Sequence, residues 1–339
     1  MSLNIGIVGL GFMGKMHFNT YANIKGAKVT AIADVDVRKR SGDWSSIGGN
    51  IGGAGKRQDL RGIHLYEDAA DMLKDPAVDI VDITLPTYLH ARWAIKALKS
   101  GHHVICEKPM ALKSAEAVAM IAAARAARRR LFIAQCIRFW PAYAKARELV
   151  QSKKFGKVVS AVFTRVSPRP TWSWQGFLQD PRKSGACALD LHIHDADFVL
   201  YMFGQPRSVL SRAMKSKNGA LDHITTFYNY APGTLIQAEG AWEYNAGFPF
   251  SMAFRIALEK ASLVFDAHGL RLCPAKGPAQ PVAVAEGDGY FHELQHFLDC
   301  IRRNCASPVV PPESAMQSVK LIEAEVKSAR SGKIVRFKG

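Results

Sequence analysis

The chain has 339 residues, more than one ordinary domain, and its 48% apolar share is enough to bury two cores. A net charge of +16 raises nucleic acid as a partner, yet the one dense basic cluster (Arg125, Arg128, Arg129, Arg130) closes an alanine-rich helical stretch where cations suit the helix dipole, and no aromatic-interleaved strip accompanies it. No run reaches membrane-span length, no leader pattern opens the chain, and six scattered cysteines lack any C-x-x-C pair, so a cytoplasmic protein with reduced thiols, and with neither membrane nor nucleic acid as partner, is expected.

The first strand-like run, Leu3 to Val8, leads into Gly9-x-Gly11-x-x-Gly14 and a helical stretch from Lys15 to Ile24. This is the dinucleotide fingerprint in its required context. Gly9 permits the turn, Gly11 admits the pyrophosphate, and Gly14 lets the helix approach the strand, with the diphosphate on the helix's positive end. A second strand, Val29 to Ala33, ends at Asp34, placed to meet the adenosine ribose hydroxyls. That carboxylate favours NAD; Arg38, Lys39 and Arg40 could instead embrace a 2′-phosphate, which leaves NADP open. The glycine-rich segment from Ser41 to Gly62 lacks the Walker pattern and reads as a mobile surface loop.

A short helix over Tyr66 to Lys74, a strand over Val78 to Leu85 and a helix over His90 to Lys99 follow. The next strand, His103 to Cys106, delivers Glu107-Lys108-Pro109. Strands alternating with helices make a parallel doubly wound sheet, whose ligands gather at the carboxyl ends of the strands. Lys108 would lie there with the glycine turn.

The pattern changes after about residue 125. Residues 1–125 are expected as the nucleotide domain, and 126–339 as an α+β domain with an open, mostly antiparallel sheet. Strands are expected at Leu131 to Gln135, Lys157 to Val166, Ser208 to Arg212, Ile224 to Tyr230, Thr234 to Trp242, Ser251 to Leu258 and Ala261 to Asp266. An open face needs cover, which a homodimer or homotetramer would supply. A last helix over Pro312 to Arg330 could return to the nucleotide domain.

A helix over Cys187 to Met202 carries the second constellation, Asp190-Leu-His-Ile-His194-Asp-Ala-Asp197. Helical spacing puts Asp190, His194, Asp197 and Tyr201 on one face and turns His192 away. Oxidising an alcohol needs a base near neutral pKa beside a cation that stabilises developing alkoxide. His194, a neighbouring carboxylate and Lys108 meet that need.

These residues together resemble the glucose-fructose oxidoreductase, inositol dehydrogenase and rhizopine-catabolism (Gfo/Idh/MocA) family. The likeness runs through Gly9-Leu-Gly-Phe12-Met13-Gly14, Ala33-Asp34, Leu85-Pro86 with His90, Glu107-Lys108-Pro109, Arg138-Phe139, Gly185 through Asp190 to His194, and Asp197. It implies that Lys108 binds and polarises the reacting hydroxyl, Asp190 fixes substrate and lysine, His194 is the general acid/base, and the Lys108-Pro109 peptide is cis. Phe12, Met13, Leu85, Pro86, His90 and Glu107 are then expected at the cofactor, and Arg138 at the substrate. The substrates implied are sugars, cyclitols and related polyols, for which Trp172 and Trp174 offer an apolar platform. Two departures, Gly185-Ala186 for the usual Gly-Gly and Thr87 for an Asn, remove no proton-transfer group.

Three other readings carry distinct signatures. A nucleotide-dependent glycosidase would recycle its cofactor, so net reduction of NAD excludes it. A non-catalytic dinucleotide sensor need not keep Lys108, Asp190 and His194 together. His292-Glu293-Leu-Gln-His296 matches the H-E-x-x-H zinc protease pattern, but nothing unambiguous supplies a third ligand, although Glu313 could. The apolar face of Leu294, Phe297, Leu298 and Ile301 instead marks that segment as an ordinary core helix, and no metal is expected.

Overall fold

The computed structural model describes residues 2–51, 53, 55–230 and 232–339. In the first part, β1 (Leu3–Val8), α1 (Phe12–Tyr21), β2 (Ala27–Ala33), α2 (Val37–Arg40), β3 (His64–Tyr66), α3 (Ala69–Met72), β4 (Ile80–Ile83), α4 (His90–Lys99), β5 (His103–Glu107), α5 (Ser114–Ala127) and β6 (Leu131–Ala134) alternate. They build a six-stranded sheet in the order β3-β2-β1-β4-β5-β6, parallel throughout. Helices cover both faces, so every residue of β4 is buried, Asp82 included, and so is every residue of the edge strand β6, an unbroken apolar run.

Next come α6 (Pro141–Gln151), β7 (Val158–Pro168), α7 (Pro181–Ser184), α8 (Ala186–Asp190), α9 (Ile193–Phe203), β8 (Ser208–Lys215), β9 (Leu221–Asn229), β10 (Leu235–Tyr244), β11 (Ser251–Leu258), β12 (Ala261–Asp266), β13 (Gly269–Pro274), β14 (Gln280–Pro281), α10 (Gly289–Arg302), α11 (Pro312–Ser331) and β15 (Val335–Arg336). The strands form a nine-stranded sheet, β14-β13-β12-β11-β7-β10-β9-β8-β15. Its pairs are antiparallel except β7 with β10, which run parallel because the chain leaves β7 through helices and returns only after β8 and β9.

Two expectations need correction, and one needs extending. The change at residue 125 does not bound the first sheet, since Leu131–Ala134 pairs with β5 as its sixth strand. The return to that sheet involves α10 as well as α11: α10 packs on α1 and stacks Phe297 on Phe132, and α11 lies along α5, where Glu323 accepts from the Ser114 N–H and hydroxyl. The first part of the Ser41 to Gly62 segment, up to Ile51, is not a free surface loop, and positions 52 and 54 lie outside the described residues. Trp44 is fully buried against Phe18, its indole donates to the Lys39 carbonyl (2.9 Å), and Ile47 is buried too. An amphipathic aromatic that finds both a packed face and an acceptor holds its segment in place. The basic cluster serves contacts across the fold: Arg125 pairs with Glu313 (2.7 Å), and Arg130 donates to the Asn304 carbonyl.

Candidate active site

A cavity of about 660 Å³ lies between the carboxyl ends of the parallel strands and the larger sheet. Gly9, Gly11, Phe12, Met13, Asp34 and Arg38 line one end, with Leu85 and Pro86 from the loop after β4. The glycine turn is built for close approach. Gly9 sits at φ +96°, a methyl group on Gly14 would stand 2.1 Å from the Gly9 carbonyl, and nothing lies within 4 Å of where a Gly11 side chain would be. A turn crowded at Gly14 and open at Gly11 fits a diphosphate over the start of α1. Asp34 accepts from the Leu10 N–H (2.6 Å) and the Asp36 N–H (2.8 Å), which leaves carboxylate lone pairs for ribose hydroxyls. The Arg38 side chain is largely exposed at the rim, and Lys39 reaches to 4.0 Å from Asp34. Ser46, Ile47, Gly48, Asn50 and Ile51 close this end, so the segment expected on the surface forms cavity wall.

At the other end Lys108, Asp190 and His194 converge. The Lys108 ammonium donates to the Asp190 main-chain carbonyl at 2.9 Å and stands 3.5 Å from its Oδ1. The Lys108–Pro109 peptide is cis. Burial, with the charges of Lys108 and Arg165, holds His194 well below its usual pKa, so the ring is neutral at pH 7 and available as a base. Its Nδ1 is buried without a protein partner. Asp190 and His194 share a face as the spacing implied, but not on one continuous helix, because α8 ends at Asp190 and α9 starts at Ile193.

The structure separates other expected site residues from the cavity. Arg138 is buried away from it: its guanidinium grips Asp197 (2.6 and 2.8 Å) and donates to the Val309 carbonyl and Ser314 hydroxyl, so it joins α9 to the start of α11 and does not line this cavity. His90 is buried beneath the surface of the cleft, tying the Leu85 carbonyl (2.7 Å) to the Pro109 carbonyl (2.8 Å). Gly14 packs against the Gly9 carbonyl and does not line the cavity. Trp174 stays at the cavity wall, whereas Trp172 meets Phe12 edge to face at 5.3 Å and so closes the cleft across the two sheets.

The H-E-x-x-H segment does not assemble a metal site. His292 donates to the Glu286 carbonyl, His296 bonds Ser307, Glu313 pairs with Arg125, and Glu293 points into the core. Among the described residues no cluster of three His, Cys, Asp or Glu is placed to hold a metal ion.

The family profile described as "Oxidoreductase family, NAD-binding Rossmann fold" matches residues 3–135, and "GFO/IDH/MocA C-terminal domain" matches residues 143–264. The chain belongs to the Gfo/Idh/MocA oxidoreductase family. It is 25% identical to the scyllo-inositol 2-dehydrogenase (NAD(+)) of Bacillus subtilis (strain 168), over 98% of this chain and 95% of that protein. It is 29% identical to the myo-inositol 2-dehydrogenase of Thermotoga maritima over 69% of this chain and 66% of that protein. Among solved structures, the fold matches that of the aldose-aldose oxidoreductase of Caulobacter crescentus complexed with glycerol, with TM-score 0.84 at 23% identity over 99% and 100% of the two chains. It also matches a levoglucosan dehydrogenase in complex with NADH and levoglucosan, with TM-score 0.84 at 22% identity over 100% of each chain.

Within this Gfo/Idh/MocA chain Glu107 lines the cavity, and sequence reasoning missed the buried network that holds it beneath Lys108. Glu107 accepts from the Lys108 N–H (3.0 Å) and stands 3.2 Å from His17 Nε2, while His17 Nδ1 meets Asp82 at 2.8 Å and Tyr21 donates to the same Asp82 oxygen. Burial alone would lower the His17 pKa, but carboxylates on both ring nitrogens push it well above the ordinary value. The helical phase of α1, which turns His17 and Tyr21 inward together, was the available signal. Arg165 was also missed. It lines the cavity while bound to Asp195 at 2.8 and 3.2 Å, and the alternation of β7 places it beside the apolar Ala161 and Phe163.

Proposed function

We propose that this protein is an NAD-dependent dehydrogenase that moves a hydride between a nicotinamide and a hydroxyl-bearing carbon of a sugar, cyclitol or related polyol. The observation that carries the reading is the convergence of Lys108, Asp190 and His194 in the same cavity as the glycine turn and Asp34. When bound, the nicotinamide accepts or returns the hydride. Lys108 donates to the reacting oxygen and stabilises its developing charge. Asp190 holds that ammonium in place, and neutral His194 takes the hydroxyl proton in the oxidation direction and returns it in reduction. The aromatic wall of Trp174, Trp172 and Tyr290 suits the apolar face of a ring, and the dehydrogenases named among the relatives act on inositols and sugars.

Asp34 supports NAD over NADP. The six free cysteines fit a reducing compartment, and none of the described helices is long and apolar enough to cross a membrane. Phe227 and Leu235, exposed on the sheet face opposite the helices, support self-association there.

Fluorescence titration with NADH and NADPH in parallel tests the nucleotide half of the proposal without a known substrate. Micromolar NADH binding, tighter than NADPH, is expected. Tighter NADPH binding would hand the ribose end to Arg38 and Lys39, and no binding of either would end the oxidoreductase reading. A panel of scyllo-inositol, myo-inositol, D-apiose and levoglucosan with NAD, and Lys108→Ala as control, then tests the chemistry.

A further inference from the structure

Between α8 and α9 the main chain departs from helical bonding just where the site is built. The His192 N–H reaches back to the Cys187 carbonyl (2.9 Å), the wide spacing of a π-bulge, and the His194 N–H bonds the Leu191 carbonyl (3.3 Å) where a regular helix would use Asp190. The Asp190 carbonyl is thereby left for another donor, and it is the atom that takes the Lys108 ammonium at 2.9 Å.

His192 lies on the side of this bulge away from the cavity. It is fully buried, and its Nε2 meets Glu325 Oε2 of α11, also fully buried, at 2.8 Å. The next turn of α11 is fastened to the larger sheet, where Ser328 Oγ accepts from the Ser211 N–H (2.9 Å). From the other side β10 presses close: a methyl group on Gly240 would stand 2.7 Å from His192 Cβ. Tyr228 lies beside the same carboxylate, and burial together with Glu325 pushes its phenol well above the ordinary value. One ring is thus held by backbone on one side and by a single carboxylate oxygen on the other. An apolar pair could fill this volume, but only a directional bond sets the rotamer and with it the course of the chain.

We propose that the His192–Glu325 pair is a positioning element of the active site, which clamps the bulge to α11, keeps the Asp190 carbonyl free for Lys108 and sets the offset between Asp190 and His194. The inference rests on the reading of those three residues as the reacting groups. The pair itself touches neither substrate nor cofactor space.

Trace acetylation of the folded protein with acetic anhydride, read lysine by lysine by mass spectrometry, tests the proposal. In the unaltered protein Lys108, only 14% exposed and donating to Asp190, is expected to react slowly. Glu325→Leu is expected to raise its rate about tenfold, the order that follows loss of one charge-assisted hydrogen bond, with the other lysines and NADH affinity unchanged. Glu325→Gln, which can still accept from His192, stays near the original rate. Should Glu325→Leu fail to fold, the double variant His192→Leu/Glu325→Leu makes the same test without burying a lone charge. An unchanged Lys108 rate in a folded leucine variant, a rise shared by all lysines, or an equal rise in Glu325→Gln would overturn the proposal. Labelling reads geometry and turnover by Lys108→Ala reads chemistry, so the two readings fail separately.

Discussion

The substitution Lys108→Met keeps the length of the side chain and removes its charge. The Lys108 ammonium has three donors; one goes to the Asp190 carbonyl at 2.9 Å, a second faces the Asp190 carboxylate at 3.5 Å, and the side chain is only 14% exposed. A donor therefore remains for the substrate oxygen in a poorly screened site. Removing one preorganised donor of this kind costs about 2.7–4 kcal/mol, a fall in kcat on the order of 10²- to 10³-fold, with NADH affinity kept. A second consequence concerns pH. Lys108 is, after burial, a cause of the low His194 pKa, so in the unaltered enzyme the acid limb of kcat/KM for oxidation lies below the ordinary histidine value of 6.5. In the Lys108→Met variant that limb should rise toward 6.5, because protonating His194 would no longer meet a like charge from the lysine. Steady-state rates of NADH formation across pH, beside an NADH titration, make the measurement. A kcat within about fivefold of the unaltered enzyme, or an acid limb that stays put or falls while NADH still binds, would refute this account of the site.

Gly14→Ala forces a methyl group to 2.1 Å from the Gly9 carbonyl, so it should cost about 1–3 kcal/mol of stability and weaken NADH binding, read by thermal melts and titration. Arg138→Ala leaves the buried Asp197 carboxylate without its guanidinium and should destabilise by about 3–5 kcal/mol; if substrate KM rises with no loss in melting temperature, Arg138 serves the substrate after all. Glu293 is buried with neither oxygen bonded, and burial together with Glu107 raises its pKa well above the ordinary carboxyl value of 4.5. Above 4.5 the folded protein therefore holds a proton that the unfolded chain releases, so this group's contribution falls as pH rises toward its folded pKa. Glu293→Gln should remove that decline, and its melting temperature should exceed the parent's by a few degrees at about pH 8 and by less at about pH 5; an equal difference at both would count against a protonated Glu293. For His194 the sign is opposite. The unfolded ring binds protons first, so stability falls as pH drops through 6.5 toward the lower folded value, and His194→Asn should flatten that limb of the melting curve.

Local pattern was enough for the nucleotide half. A strand, a glycine turn and a helix are neighbours in the chain, and the crowding of Gly14 on Gly9 is met within a single turn, so Gly9, Gly11, Asp34 and Lys108 could be placed at strand ends from sequence. Asp190 and His194 were also legible as a pair, because four-residue spacing shares a face even across a distorted turn. What the spacing could not show is the bulge between them, which depends on His192 meeting a carboxylate 133 positions away.

The same limit explains the other corrections. Arg138 resembles a ligand-binding arginine until its partner Asp197, 59 positions on, is seen to occupy it. The Ser41 to Gly62 segment reads as a loop by its glycines, yet Trp44 finds Phe18 and anchors it. His17 becomes part of the lysine's support only when β4 and β5 bring Asp82 and Glu107 to either side of its ring. By itself the sequence determined the chemistry available and the strand ends that carry it, because those follow from residue type and short-range geometry. Tertiary structure decided which charges neutralise one another and which remain free to act, since a buried charge takes whatever partner the packing delivers.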